Sequence, residues 1–277
     1  MLTENLKKYG RIGLGGEGVL RTHALTARAR EVIQAAIDSG ITYFDSARVY
    51  SDSEVYYGTV WKESPETRAG IFQASKSASR DREGALKDLE ETLGRMGTDY
   101  LDLWQIHDVR TKGDIEVISG PGGALEAFLE ARSSGKTRFI GVTGHHAPEI
   151  LTLAVNEWPV DAVMMPVNPA EEVIGGFLTS TLPAARSKNV AVIGMKIMGG
   201  SHYVHLTHAV KPELLIRYAL SRDVNMVIVG CSTAEEVKTL ADTGGDFKPL
   251  SDPEKSRLVQ VFEPHAGRLA YYRGVIP

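Results

Sequence analysis

Four polar residues in the first half of the chain have side chains that together could transfer a proton to a substrate. Asp45, Lys76 and His107 each lie at the end of a short apolar run, and Tyr50 follows Asp45 closely. A phenol has an ordinary pKa of about 10, but an adjacent lysine ammonium stabilises the phenolate and lowers that pKa. The sequence therefore predicts that Tyr50 donates a proton to a carbonyl oxygen as it becomes an alkoxide. His107 would hydrogen-bond the same oxygen, and Asp45 would keep Lys76 charged and oriented.

Short apolar runs alternate with amphipathic helical stretches along the whole chain, and these elements would position the four side chains. The predicted strands cover residues 12–15, 43–46, 71–76, 101–107, 138–142, 162–167, 190–196 and 226–231. Most are continuously apolar, which is typical of parallel strands buried on both faces. This alternation over about 250 residues predicts an α/β protein with one (β/α)₈ barrel domain spanning residues 1–277, with its chemistry at the C-terminal strand ends. A doubly wound open sheet gives the same alternation and is the alternative fold.

Helix boundaries are indicated by capping residues and by proline and glycine. Thr26 is predicted to cap a helix that stops at Gly40. Pro212 occupies the kind of first-turn position that tolerates proline. Thr233 and Glu236 have the spacing of a capping box, which predicts the start of a last helix.

Composition excludes several classes of protein. The chain has 277 residues, of which 43% are hydrophobic, and a formal net charge of −4. This apolar content excludes intrinsic disorder, and a single cysteine, Cys231, excludes an internal disulfide scaffold. No apolar run approaches the roughly 18 residues of a membrane span. The slightly acidic net charge also gives no sign of a basic surface that would bind nucleic acid. Because the first residues lack the apolar segment of a signal peptide, we expect a soluble cytoplasmic protein.

Four segments of the chain resemble the sequence blocks of the aldo-keto reductases. Residues 45–58 contain Asp-Ser-Ala-Arg-Val-Tyr followed by Ser-Glu and Gly, and residues 74–76 read Ala-Ser-Lys. Residues 93–107 resemble the family's block that ends in histidine, and residues 135–142 resemble its Gly-Lys-x-Arg-x-Ile-Gly-Val block. The resemblance implies a (β/α)₈ barrel that reduces carbonyl groups with a nicotinamide cofactor.

The same resemblance implies the site residues and the partners. Asp45, Tyr50, Lys76 and His107 would form the catalytic tetrad, with Tyr50 as the acid. A small-molecule carbonyl compound is the expected substrate, with neither nucleic acid nor membrane as a partner. A monomer is the usual state of the family, and the sequence leaves the oligomeric state open.

Cofactor contacts are expected at several strand ends and at one helix N-terminus. The implied residues are Gly15, Gly16, Asp45, Thr143, Gly144, Met164, Met195, Lys196, Gly230, Ser232, Thr233 and Glu236. The glycines after the first strand do not have the spacing of a dinucleotide-binding fingerprint, but they would leave room for the nicotinamide.

Two departures from the family pattern concern this cofactor. Thr143-Gly144 replaces the Ser-Asn pair that holds the carboxamide, so the sequence predicts weak or unusual cofactor binding. The phosphate-clamp segment lacks the usual basic residues, and Glu236 would repel a 2′-phosphate if it pointed inward. NADPH is the family's usual cofactor, and NADH is therefore the alternative.

The substrate pocket is expected to form from loops at the barrel mouth. These are residues 17–20, Trp104, His145, the 201–210 loop and the tail around Tyr271 and Tyr272, with Glu17, Trp104, His145 and His202 as the expected contacts. Loops of this kind vary freely on a fixed barrel, so the sequence does not identify the substrate.

Two other classes of function are alternatives. His202, His205 and His208 follow one another at three-residue steps, and barrel hydrolases place metal ligands on this face. The chain lacks the paired carboxylates of such hydrolases, so we predict no metal. The altered carboxamide site also fits a cofactor-sensing subunit without turnover, although the complete tetrad argues against it.

Overall fold

Eight parallel strands close into a barrel in the computed structural model, which describes residues 1–204 and 206–274. The strands are β1 Ile12–Gly18, β2 Tyr43–Asp45, β3 Phe72–Ser77, β4 Leu101–Ile106, β5 Thr137–Thr143, β6 Ala162–Pro166, β7 Ala191–Met195 and β8 Met226–Cys231. Each strand pairs with its chain neighbours, and β8 pairs with β1 to close the cylinder. The predicted single-domain barrel is confirmed, and the open sheet is excluded.

Helices surround the barrel and connect its strands. They are α1 Leu2–Leu6, α2 Thr26–Asp38, α3 Ser53–Glu63, α4 Pro65–Gly70, α5 Arg82–Met96, α6 Lys112–Ser119, α7 Ala124–Ser133, α8 Pro148–Glu157, α9 Pro169–Ile174, α10 Leu182–Ser187, α11 Pro212–Leu220, α12 Ala234–Gly245, α13 Asp252–Phe262 and α14 Ala266–Leu269. Among the described residues, no helix has the length and apolar character that crossing a membrane requires.

The eight predicted strands are all present, with ends that differ from the prediction by at most three residues. Two helix predictions are wrong in detail. Thr26 is the first helical residue of α2, and Leu25 holds the cap position without a side-chain hydrogen bond. α12 is not the last helix, because α13 and α14 follow it. The proline prediction is confirmed, since α11 begins at Pro212.

The N-terminal end of the barrel is closed by α1, which the sequence analysis did not predict. Leu2 and Leu6 are only 3% and 1% exposed. They pack in one cluster with Tyr43 and Phe72, the first residues of β2 and β3. The same cluster continues through the barrel interior to Met164, near the opposite end. The interior is therefore a packed apolar column, and the opening lies at the C-terminal strand ends.

Candidate active site

Asp45 and Lys76 form a buried ion pair at the C-terminal end of the barrel. Asp45 ends β2 and Lys76 lies in the neighbouring β3, so parallel pairing brings their side chains together. The Nζ atom of Lys76 donates hydrogen bonds to Asp45 Oδ2 at 2.6 Å and to the carbonyl oxygen of Ser46 at 2.7 Å. Both residues are 1% exposed. Burial raises the pKa of Asp45 and lowers the pKa of Lys76, while the charge of each partner opposes these shifts.

Tyr50 lies against this ion pair, in the loop between β2 and α3. The Nζ atom of Lys76 is 4.9 Å from the centroid of the Tyr50 ring. The His107 ring meets the Tyr50 ring edge to face, with 5.6 Å between centroids. The guanidinium of Arg21 also lies over the phenol ring, 4.8 Å from its centroid. The structure thus brings together all four residues of the predicted tetrad and adds a cation that the sequence analysis missed.

The predicted lowering of the Tyr50 pKa is wrong for this structure. Burial raises the pKa of Tyr50 well above its ordinary value, and the charges of Asp45 and Glu17 raise it further, while Arg21 lowers it. The ammonium of Lys76 faces the ring and bonds to Asp45 and to Ser46. The phenol is therefore fully protonated at neutral pH and is available as a donor.

His107 directly follows β4 and is neutral near pH 7. Burial lowers the pKa of His107 to about 3, and the charge of Lys76 acts in the same direction. Its Nδ1 atom is buried without a hydrogen-bond partner among the residues that the structure describes. A neutral imidazole carries one N–H, and because Nδ1 is enclosed, that N–H must be on Nε2 if His107 is to donate to a bound oxygen.

The pKa of His107 gives a prediction about stability. The unfolded chain takes up a proton on this histidine near pH 6.5, and the folded chain does so only near pH 3. The free energy of unfolding should therefore fall as pH falls through this interval, by about 1.4 kcal/mol per pH unit from this group. Urea unfolding from pH 7 to pH 4 measures the slope, which His107→Gln should reduce. Equal slopes for the two proteins would contradict the pKa of about 3.

A cavity of about 410 Å³ opens beside the tetrad. Asp45 and Tyr50 form part of its wall, so the phenol borders the open space. The other predicted site residues in the wall are Gly15, Gly16, Glu17, Met164, Met195, Lys196, Gly230, Ser232 and Glu236. Gly199, Gly200 and Tyr271 line it as well. Most of the predicted cofactor residues therefore surround one space.

Gly16 allows β1 to approach the tetrad. A Cβ atom at this position would lie 2.8 Å from Tyr50 Cδ2 and 2.8 Å from the carbonyl oxygen of Asp45. Both distances are shorter than a normal contact, so a larger residue would displace the phenol or the end of β2. The glycine after the first strand is thus needed for close packing at the site.

The N-terminus of α12 is capped from within the chain. Thr233 Oγ1 accepts a hydrogen bond from the backbone N–H of Glu236 at 3.2 Å. The Glu236 carboxylate accepts one from the backbone N–H of Ser232 at 2.6 Å. The predicted capping box is therefore only half formed, because the Glu236 carboxylate bonds to the backbone N–H of Ser232 rather than to that of Thr233. An acidic group consequently occupies the position where a helix N-terminus would offer an N–H to phosphate.

Glu17 joins two cations at the rim of the cavity. Its Oε1 atom is 2.9 Å from Arg21 Nη1 and 3.6 Å from Lys196 Nζ. Arg21 belongs to a short 3₁₀ turn that follows a register shift in β1, between Gly15 and Gly18. No sequence spacing indicates that shift, which explains why Arg21 was missed.

Two predicted contacts to the carboxamide lie outside the cavity wall. The Oγ1 atom of Thr143 accepts a hydrogen bond from the backbone N–H of Asp108 at 2.8 Å. A Cβ atom on Gly144 would lie 3.0 Å from the carbonyl oxygen of Val109. Both residues thus pack against the loop that follows β4 instead of the cavity. Thr233 is also outside the wall, where it caps α12.

The prediction that Trp104 contacts the substrate is wrong. Trp104 is fully buried and stacks on Phe128 of α7, with 3.7 Å between ring centroids. Side chains alternate between the two faces of a strand. Trp104 and His107 are three residues apart, so they point to opposite faces, and Trp104 belongs to the helix layer.

The predicted histidine contacts have different locations. His145 is outside the cavity wall, and His202 is an exposed residue whose ring lies 5.5 Å from that of Tyr271. His205 lies outside the described residues, and the part of the chain that is described gives no metal-ligating group around His202 and His208. The residues that do converge are Asp108, His145 and His146.

Comparison with known sequences identifies a family and distant relatives. The aldo/keto reductase family model matches residues 10–208. L-galactose dehydrogenase of Arabidopsis thaliana is 25% identical over an alignment of 265 residues that covers 80% of this chain and 82% of that protein. The 6-dehydroglucose reductase of Novosphingobium aromaticivorans is 28% identical over an alignment of 142 residues that covers 46% of this chain and 45% of that protein. The latter match thus spans about half the length of the relative.

Solved structures share the fold. An aldo-keto reductase from Bacillus halodurans, AKR11C1 in its holo form, superposes with a TM-score of 0.74 at 19% identity, covering 91% of each chain. An aldo-keto reductase from Klebsiella pneumoniae in complex with NADPH gives a TM-score of 0.72 at 21% identity, again over 91% of each chain. At these identities the likeness concerns the barrel architecture.

Proposed function

The chain belongs to the aldo/keto reductase family of oxidoreductases, and we propose that it reduces an aldehyde or ketone with a nicotinamide cofactor, with Tyr50 as the proton donor. The observation that carries this proposal is the position of the Tyr50 phenol. It lies on the wall of the cavity, against the buried Asp45–Lys76 pair and the neutral ring of His107. A small-molecule carbonyl compound is the proposed substrate.

The residues around the cavity fit a nicotinamide dinucleotide. Gly15 and Gly16 leave one side of the wall without side chains. Met164 and Met195 offer polarisable apolar surface for a flat ring. Ser232, at the start of α12, would face the phosphates. When bound, the nicotinamide supplies the hydride, and these residues would hold it beside Tyr50.

Tyr50 supplies the proton in this mechanism. A carbonyl oxygen that becomes an alkoxide is a stronger base than a phenolate, because an alcohol is a much weaker acid than a phenol, whose ordinary pKa is about 10. Burial penalises both anions, so the proton still moves from the phenol to the alkoxide. Lys76, held by Asp45, fixes the phenol ring through a cation–π contact. His107 would donate its N–H to the same oxygen and orient the carbonyl group.

NADPH is the proposed cofactor, with NADH as the alternative. Solved neighbours from Klebsiella pneumoniae contain NADPH or NADP, which supports NADPH. The carboxylate of Glu236 at the start of α12 opposes a 2′-phosphate, which supports NADH.

Replacing Glu236 by Gln should therefore strengthen NADPH binding. Exposed charge pairs contribute about 0.2–1 kcal/mol, so we expect the Kd for NADPH to fall about 1.4-fold to fivefold, with a smaller change for NADH. Fluorescence titration of each cofactor measures both values. Glu235→Gln is the matched control, because Glu235 is on the same helical turn and outside the cavity wall. An equal gain for both cofactors would show that the carboxylate does not face the 2′-phosphate.

Cofactor titration followed by an aldehyde panel tests the proposed function. The panel should include aldoses and sugar aldehydes, since two relatives are named for sugar substrates. We expect saturable binding of NADPH or NADH and oxidation of the bound cofactor by at least one aldehyde. Tight binding without single-turnover oxidation by any aldehyde would instead support a cofactor-sensing subunit.

A further inference from the structure

We propose that Asp108, His145 and His146 form a binding site for a divalent transition-metal ion. One ligand atom from each of the three residues lies within 4.8 Å of the other two. Asp108 belongs to the loop after β4, and the histidines belong to the loop after β5. The proposed carbonyl reduction uses none of these side chains, so this site is a separate property of the chain.

The hydrogen bond of His145 determines which of its ring atoms can bind a cation. Its Nδ1 atom lies 2.9 Å from the carbonyl oxygen of Tyr272. A carbonyl oxygen only accepts hydrogen bonds, so Nδ1 carries the ring proton. In a neutral imidazole the Nε2 atom then has a lone pair. Metal-ligating histidines very often donate their other N–H to a backbone carbonyl in this way.

That lone pair faces a carboxylate oxygen. His145 Nε2 is 3.3 Å from Asp108 Oδ1. Two acceptors at this distance repel one another unless a proton or a metal ion lies between them, and a metal ion bound to both atoms would remove the repulsion. The ring of His146 is 4.7 Å from the ring of His145 and adds a third ligand.

Asp108 is prepared for such a role by its neighbours. Arg110 Nε donates to Oδ2 of the carboxylate at 2.8 Å. The other oxygen, Oδ1, is buried and has no hydrogen-bond partner within residues 1–204 and 206–274. The backbone of Asp108 is held by Thr143 and by Arg80, at 2.8 Å in each case. The free oxygen is therefore kept on the side of His145.

The donor set indicates the class of metal. Two imidazole nitrogens and one carboxylate oxygen suit Zn²⁺ and its first-row neighbours, and three protein ligands leave a position for water. Because His145 is bonded to the backbone of Tyr272, the bound ion would link the tail of the chain to the loops after β4 and β5.

Isothermal titration of untagged, chelator-treated full-length protein with ZnCl₂ tests this proposal without any cofactor. We expect one Zn²⁺ per chain, and visible absorption bands of a protein-bound complex when Co²⁺ is used instead. Asp108→Asn and His146→Gln should each weaken binding at least about tenfold. His208→Gln is the control, because His208 is exposed and outside the group, and it should bind Zn²⁺ as the unchanged chain does.

Three results would overturn the metal site. One is the absence of saturable Zn²⁺ binding. Another is equal affinity in the unchanged chain and in a folded His146→Gln variant, with circular dichroism to verify folding. The third is an imidazolium signal from His145 in NMR spectra at neutral pH that persists in excess Zn²⁺, because a proton would then hold Nε2 against Asp108.

Discussion

Replacement of Tyr50 by Phe is expected to lower kcat for carbonyl reduction about 10²–10⁴-fold, the usual contribution of a positioned general acid. The substitution removes only the hydroxyl group. The ring would keep its contacts with Lys76, Arg21 and His107, so the cavity wall retains its shape. The Kd for NADPH should accordingly be unchanged. Single-turnover kinetics and fluorescence titration measure the two quantities.

Tyr56→Phe provides the matched control for this experiment. The hydroxyl of Tyr56 bonds to Thr22 and lies outside the cavity wall, so its loss should leave turnover intact. If Tyr50→Phe kept full turnover, the phenol of Tyr50 could not be the proton donor. A loss of cofactor affinity together with activity would instead indicate that the hydroxyl holds the cavity in shape.

Replacement of Lys76 by Met should lower both stability and turnover. Asp45 would then be a buried carboxylate without its counter-ion, since its remaining oxygen Oδ1 has no partner among the described residues. Breaking a buried ion pair by removing one partner costs about 3–5 kcal/mol in the free energy of unfolding. The phenol of Tyr50 would also lose the cation over its ring. Urea unfolding and steady-state kinetics measure the two effects.

A double variant separates the two effects of this substitution. Lys76→Met combined with Asp45→Asn removes both charges, so we expect it to regain much of the lost stability. Turnover should stay low, because the ammonium beside Tyr50 is still missing. If Lys76→Met has the same free energy of unfolding as the unchanged chain, then loss of the buried Asp45–Lys76 pair does not have the expected cost of about 3–5 kcal/mol. Full turnover in the double variant would contradict the role of Lys76 in positioning the Tyr50 ring.

The barrel and the tetrad were predictable because they depend on local patterns. Short, mostly apolar runs identified all eight strands, and the end of a parallel strand fixes where its last side chain lies. This is why Asp45, Lys76 and His107 could be placed together from the sequence. The error at Trp104 was avoidable, because the period of two along β4 separates it from His107.

Other features depend on contacts between distant segments and have no signal in the sequence. The pKa of Tyr50 is set by burial, and residue spacing alone does not measure burial. Arg21 reaches the phenol through an irregular register in β1. His145 meets Asp108 and the carbonyl oxygen of Tyr272, which is far along the chain. Such contacts can be identified only from the three-dimensional positions of the loops.

Leu2 and Leu6 cover the N-terminal end of the packed barrel interior. This aliphatic packing would keep bulk water from reaching Tyr50 through the N-terminal end of the barrel. Under the proposed function, the carbonyl compound would enter and the alcohol would leave through the cavity at the C-terminal strand ends, which Met164 and Met195 line. A tightly held product would occupy this cavity and so delay binding of the next substrate.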